Sequence, residues 1–195
     1  MGIEAYFDRL ASRWNQMPRP DSGFLEHLAA ETGLTSGQKV LDAGTGTGVM
    51  LPYLARRVSP ARIWALDISR EMIRKARCNY PYLPVRYLQA HLERIPLPSS
   101  SLDAVMCFSV FPHVNDKAAS VGEIARVLKR GGTLVIAHAD SRDAINRRHR
   151  DIGGPVRDHC LPPDRDMEHL VKSAGLKLSY ISDKSASYVL KADKT

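Results

Sequence analysis

Val40-Leu41-Asp42-Ala43-Gly44-Thr45-Gly46-Thr47-Gly48-Val49 reads as a short apolar strand running into a three-glycine turn that opens a helix. Two carboxylates frame it: Asp42 near the end of the strand, and Asp67 closing the next apolar run, Arg62-Ile63-Trp64-Ala65-Leu66. Glycines let a ligand approach main-chain N–H groups that a Cβ would otherwise shield. A carboxylate at the end of the following strand can accept hydrogen bonds from both hydroxyls of a ribose. The combination predicts a site for an adenosine-type cofactor.

Outward from this turn, strands and helices alternate. Toward the N-terminus, Ile3, Tyr6, Phe7, Leu10 and Trp14 recur at helical spacing over 3–15, and Pro18 and Pro20 end that element. A second helix is predicted over 23–32, capped by Asp21 or Ser22 and stopped by Gly33. Strand 39–43 leads into the turn and a helix over 48–58, then strand 62–67, helix 69–79 capped by Ser69, and strand 84–89. Strand 102–108, helix 117–129 capped by Asn115 or Asp116, and strand 133–137 follow, with Gly131-Gly132 between the last two. A charged segment over 140–162 has no regular pattern; helix 163–174 and an antiparallel hairpin over 176–182 and 186–191 close the chain. This alternation predicts a single α/β domain, Rossmann-like and doubly wound. Its seven-stranded sheet would be mostly parallel, with an antiparallel C-terminal hairpin. Within 1–195, residues 1–33 would form an N-terminal helical lid, 34–139 the cofactor-binding core, and 140–195 an acceptor-side insert and the hairpin.

A length of 195 residues suits one domain, and 44% hydrophobic with 25% charged residues is an ordinary globular composition. No apolar run approaches the roughly 20 residues that cross a bilayer, so no membrane insertion is expected. Glu4, Asp8, Arg9 and Arg13 make the N-terminus unlike a secretory signal. Cys78, Cys107 and Cys160 are odd in number and widely spaced, as for free thiols of a cytoplasmic protein. The net charge of +7 permits attraction to nucleic acid or to an acidic small substrate without establishing either.

The glycines fall as Gly44-x-Gly46-x-Gly48, not as the G-x-G-x-x-G of dinucleotide enzymes, and Asp42 stands two residues before the first. An extra carboxylate is awkward beside a diphosphate but useful beside an ammonium group. That asymmetry favours a cofactor with an amino-acid end, as in S-adenosylmethionine. The chain resembles the class I S-adenosylmethionine-dependent methyltransferases of the small type-11 kind, the group that includes ubiquinone/menaquinone-pathway C-methyltransferases. The resemblance covers roughly residues 4–139 and rests on Tyr6-Phe7-Asp8-Arg9-Leu10-Ala11-x-x-Trp14, the glycine turn, and Ala65-Leu66-Asp67-Ile68-Ser69-x-Glu71-Met72. Gln89-Ala90-His91-Leu92-Glu93-Arg94-Ile95-Pro96-Leu97-Pro98, Leu102-Asp103-Ala104-Val105 and Glu123-Ile124-Ala125-Arg126-Val127-Leu128-Lys129-Arg130-Gly131-Gly132 extend it.

The resemblance implies S-adenosylmethionine as cofactor, S-adenosylhomocysteine as product, and a role for each matched position. Gly44, Thr45, Gly46 and Gly48 would pack on the methionine part with Asp42 nearby, and Asp67 would hold the ribose. Ile68 would cover one face of the adenine, Met72 would belong to the cofactor-binding set, Leu92 would offer the base a main-chain N–H, and Ser109 would face the methionine moiety. Tyr6, Phe7 and Trp14 would close over the pocket; core packing is the alternative for Phe7 and Trp14. One departure is His91, where relatives usually carry an acid that accepts from the adenine amino group; only a neutral imidazole could do so.

Methyl transfer needs an aligned nucleophile in a dry site, and a base only where the acceptor is protonated. His113 and His138 are the candidate bases, and Phe111, His113, Asp140, Arg147 and Arg148 the candidate acceptor-binding residues. The arginines would suit a carboxylate or phosphate; a solvated helix face is their alternative reading. His149, His159 and Cys160 match no standard zinc spacing, so no metal is expected. The expected reaction is methylation of a small-molecule acceptor, possibly acidic, by a monomer or homodimer. One alternative is a tRNA or rRNA methyltransferase, although Cys107-Phe108-Ser109-Val110-Phe111-Pro112 lacks the Asn/Asp-Pro-Pro-aromatic motif of exocyclic-amine enzymes. The other is a non-catalytic S-adenosylmethionine-binding protein.

Overall fold

The central strands are apolar at nearly every position, so both faces of the sheet must be covered. The structure, a computed structural model, describes residues 2–195. In chain order the strands are β1 (Val40–Ala43), β2 (Ile63–Asp67), β3 (Arg86–Gln89), β4 (Leu102–Phe108), β5 (Leu128–His138), β6 (Leu176–Lys184) and β7 (Ser187–Lys194). They form one sheet in the order β3-β2-β1-β4-β5-β7-β6. Strands β1 to β5 pair in parallel, and β7 runs antiparallel to both β5 and β6. This is the doubly wound sheet with a reversed C-terminal hairpin that the alternation predicts.

Side-chain alternation feeds two cores. Leu41, Val105, Cys107, Leu134 and Ile136 point to one face. Val40, Ala65, Met106, Val135 and Ala137 point to the other. The first face is covered by α5 (Lys117–Val127), α6 (Arg142–Ile152) and α7 (Asp164–Ser173) through residues such as Ile124, Ile145 and Val171. The second is covered by α2 (Ser22–Glu31), α3 (Leu51–Leu54) and α4 (Arg70–Asn79), through Leu28, Leu54 and Ala76. The first helix, α1 (Ile3–Trp14), lies apart from both cores with only Ala11 buried.

Capping follows the sequence. Asp21, Ser69 and Asp116 each accept the N–H of the residue three positions on, at the starts of α2, α4 and α5.

Three expectations need correction. The helix over 48–58 shrinks to Leu51–Leu54, because Tyr53 N–H to Met50 O and Arg57 N–H to Leu54 O close tighter turns at its ends. Strand β5 begins at Leu128 and carries Gly131-Gly132 within it; the register with β4 shifts between Leu102 and Ala104 to absorb them. The segment 140–162 is not irregular throughout. It holds α6, capped by Ser141 and ended by Gly153 at φ 69°.

Candidate functional site

The order of the sheet reverses at β1, whose neighbours are β2 and β4, and ligands in such sheets bind outside the carboxyl ends of the strands there. The glycine turn folds across that edge. The N–H groups of Gly44 and Thr45 both donate to Leu66 O, at 2.7 and 2.9 Å. Gly44 has φ +72°, and a Cβ on it would lie 2.2 Å from Val110 Cγ2, so only glycine lets the turn pass under the loop after β4. A Cβ on Gly46, at φ +53°, would meet nothing nearer than the Trp14 ring nitrogen at 4.0 Å.

Asp67 ties the two strand ends together. One carboxylate oxygen accepts Gly46 N–H and the other accepts Ser69 N–H, each at 2.8 Å. Burial raises its pKa to about 6 against these two hydrogen bonds, with the Asp8 charge adding to the rise. Asp42 is deeper, 1% exposed, and accepts the Thr45 hydroxyl at 2.6 Å. Burial is the main cause that lifts it to about 7, with the Asp67 charge contributing.

One cavity opens on this edge. Gly44, Gly46 and Asp67 form its floor. Ile68, Met72, Ala90, His91 and Leu92 form an apolar side suited to a planar base. Ser109, Val110, His113, Val114, Asn115 and Glu93 form the opposite side, and Ile3, Phe7 and Trp14 of α1 the roof. Ser109 adopts φ 55°, a left-handed conformation unusual for a non-glycine residue and common where a loop is shaped for function. The roof is tied to the floor by Asp8, which accepts the Ser69 hydroxyl at 2.6 Å and the Glu71 N–H at 3.2 Å.

Of the residues expected at the cofactor, Gly44, Gly46, Asp67, Ile68, Met72, His91, Leu92 and Ser109 share this lining. Tyr6, Asp42, Thr45 and Gly48 do not; Tyr6 packs edge-on against Phe7 at 5.3 Å, and Gly48 backs onto Leu51 and Tyr80. Asp42 and Thr45 form a buried pair beneath the turn instead. The His91 side chain is 56% exposed at the rim, with Nδ1 3.9 Å from a Glu93 carboxylate oxygen.

The acceptor side departs further from expectation. Only His113 among its candidates lines the cavity. Phe111 is wholly buried in the core below it. His138 is 4% exposed beside Tyr188, with no partner for Nε2, and burial above all pushes its pKa down to about 3. Arg148 pairs with Asp140, and Arg147 is exposed; none of the three reaches the cavity. The arginines sit on the outer face of α6 because Ile145 and His149, four residues apart, turn its other face inward. Glu93 and Asn115, which are not among the site residues expected from the sequence, are polar groups of the lining.

The His113 ring stands edge-on to Phe7 at 5.0 Å, and its Nδ1 lies 3.0 Å from His159 Nδ1. Burial above all, with the repulsion that a proton there would meet from His149, His159, His138 and Lys117, holds its pKa down at about 3. His113 is therefore a neutral imidazole at neutral pH. Among the described residues no group of three or more His, Cys, Asp or Glu side chains is arranged to hold a metal ion.

Residues 41–136 match the family described as Methyltransferase domain. A transposon-encoded protein of Streptomyces fradiae is 37% identical over 148 residues, 68% of this chain and 43% of that protein. A demethylmenaquinone methyltransferase of Deinococcus radiodurans is 31% identical over 141 residues, 69% of this chain and 58% of that enzyme. The chain thus spans about half the length of the curated relatives it matches. Its fold is that of a SAM-dependent methyltransferase from Aquifex aeolicus, with a TM-score of 0.71, 22% identity and 100% of both chains covered. The chain carries a methyltransferase domain of the class I, S-adenosylmethionine-dependent, type-11 family.

Proposed function

We propose that this chain transfers the methyl group of S-adenosylmethionine to a small, largely apolar acceptor bearing an ionisable group, releasing S-adenosylhomocysteine. The observation that carries the reading is the joining of both ends of the reaction in one cavity: Gly46 and Asp67 on its floor, His113 on its far side. Ribose hydroxyls would bond Asp67, the base would lie between Ile68, Met72 and Leu92, and the methionine part would follow the glycine turn to Ser109. The sulfonium methyl would then face the space bounded by Phe7, Val110, His113 and Val114. That space is apolar and roofed by α1, which acts as a lid over residues 34–139. Dryness favours methyl transfer, because the leaving group becomes neutral as the bond breaks and water would compete with the acceptor.

An acidic acceptor held by arginines loses its support, since Arg147 and Arg148 lie outside the cavity. The recognition left to the chain is shape, the Asn115 amide, the Glu93 carboxylate and the His113 imidazole. Nothing in the cavity favours a nucleic acid, and no helix among the described residues is long and apolar enough to cross a membrane.

Calorimetric titration with S-adenosylhomocysteine and, separately, with NAD tests the cofactor assignment. Binding of S-adenosylhomocysteine alone supports it, and binding of NAD alone overturns it. Release of S-adenosylhomocysteine in the presence of apolar phenols, thiols and amines, compared with carboxylates and RNA, then tests the acceptor class. Turnover only with RNA or only with carboxylates would refute the apolar-acceptor reading.

A further inference from the structure

The loop 157–161 carries the second imidazole of the His113 pair, and α6 holds that loop in place with three hydrogen bonds. Asn146 bridges both main-chain groups of Leu161, its amide donating to the carbonyl at 3.0 Å and its carbonyl accepting the N–H at 2.8 Å. One turn along, His149 Nδ1 lies 2.6 Å from His159 O. A carbonyl only accepts, so His149 Nδ1 carries the hydrogen. The buried face of α6 therefore fixes the backbone of His159, and with it the placement of a ring whose Nδ1 meets His113 Nδ1 at 3.0 Å. At that distance one of the two nitrogens is protonated and the other is not.

The two ends of this pair face different surroundings. His113 lines the cavity, and no protein group among the described residues bonds its Nε2. His159 is half-buried, in a loop whose neighbours Asp158 and Cys160 are exposed. We propose that His159 is a positioning residue for methyl transfer: its Nδ1 accepts from His113 Nδ1–H, which leaves His113 Nε2 as the proton acceptor toward the cavity and connects it to solvent. This rests on the methyl-transfer reading above and deepens it.

The proton count explains why a pair serves better than a lone base. The groups facing His113 are cationic or neutral bases, Lys117, His149, His159 and His138, and an imidazolium there is strongly disfavoured. Such a ring can take a proton at one nitrogen only by releasing one from the other. As the acceptor's X–H proton passes to His113 Nε2, the His113 Nδ1 hydrogen moves to His159 Nδ1. His159 Nε2–H is then released to solvent. The methyl carbon bonds to X, and the electron pair of the broken S–C bond stays on sulfur. After the product leaves, His113 gives its Nε2 hydrogen to water, the shared hydrogen returns to Nδ1, and His159 regains one from solvent. One proton is released per turnover, and neither ring becomes charged.

Ring-nitrogen NMR on 15N-histidine-labelled protein at pH 7.5 reads the arrangement directly. The expected result is His113 with hydrogen on Nδ1 and none on Nε2, and His159 with the reverse. In His159→Phe the His113 Nδ1–H signal is lost in favour of Nε2–H. In His159→Asn, where the amide oxygen stands near the former Nδ1, the Nδ1–H form is retained. A wild-type His113 protonated on Nε2, or a tautomer unchanged in His159→Phe, overturns the proposal. Should His159→Phe fail to fold, the wild-type tautomer alone decides. Binding of S-adenosylhomocysteine, measured on the same samples, is independent of these signals. Its absence would remove the methyl-transfer reading whatever the tautomer proves to be.

Discussion

Asp67 and Gly46, 21 positions apart, are joined by a 2.8 Å hydrogen bond from the glycine N–H to the carboxylate. The acid that would hold the ribose therefore also sets the glycine turn that would hold the methionine part. Ribose binding adds donors to a carboxylate that already accepts two N–H groups, and the buried acid is drawn toward its ionised form as they arrive. Asp67→Ala should weaken S-adenosylhomocysteine binding by about 100-fold, since hydrogen bonds to a charged acceptor contribute roughly 1.5–3 kcal/mol each. It should also lower stability by about 1–3 kcal/mol, because Gly46 N–H loses its partner. Calorimetry and urea unfolding check the two effects; an unchanged dissociation constant would remove Asp67 from the site.

Gly44 passes under Val110 with no room for a methyl group. Gly44→Ala adds a clash to an unfavourable left-handed conformation and should cost about 2–4 kcal/mol. Val110→Gly in the same chain removes the clash and leaves the backbone strain. The double variant should recover part of the loss despite a second, individually destabilising change. Purely additive losses would mean that the turn and the loop after β4 do not touch. Chemical denaturation of the two single variants and the double variant decides between these outcomes.

The buried Asp42 makes stability and pH antagonists. Its folded pKa of about 7 lies above the ordinary aspartate value of 3.8, so between those pH values the folded state binds more protons than the unfolded. Its contribution to stability is thus present below about pH 4 and falls as pH rises toward 7. Asp42→Asn keeps an acceptor for the Thr45 hydroxyl and removes the charge. Its melting temperature at pH 8 should exceed that of the parent by about 5 °C, with little gain at pH 4. A variant equally stabilised at both pH values would show that the carboxylate is not the cause.

How much of this was legible in the sequence follows from where each signal resides. The glycine turn and Asp67 announce themselves because main-chain geometry and strand order fix their positions, and both are local. Asp67 would reach the ribose whatever packs behind it. The acceptor side is hidden in the sequence because it depends on the rotation of α6 about its own axis. Counting arginines in 142–150 hides the inward pair Ile145 and His149, whose spacing was the available signal. The link from His113 to His159 spans 46 positions and two loops, and no periodicity encodes it. Phe111 and His138 depart from the expected placement for a common reason. Each lies close in sequence to the site edge, yet strand and turn geometry point both side chains into the core.

His138 provides the sharpest contrast with His113, for it is as strongly perturbed and yet outside the cavity. Its Nε2 is buried without a partner, a condition that costs about 1–3 kcal/mol. Its folded pKa of about 3 lies below the usual 6.5, so between those values the unfolded state binds the extra proton. That term makes stability rise with pH through the window and reach its full value above about pH 6.5. His138→Leu fills the same space without a polar orphan and abolishes the titration. The variant should gain the most over the parent near pH 5, by about 2 kcal/mol or more, and a smaller amount at pH 7.5. Its affinity for S-adenosylhomocysteine should stay within about threefold of the parent, a change smaller than 1 kcal/mol. Thermal unfolding at the two pH values, with calorimetry at the higher one, checks both. A His138→Leu protein that is less stable at pH 5 than the parent would show that the imidazole is satisfied in the folded state.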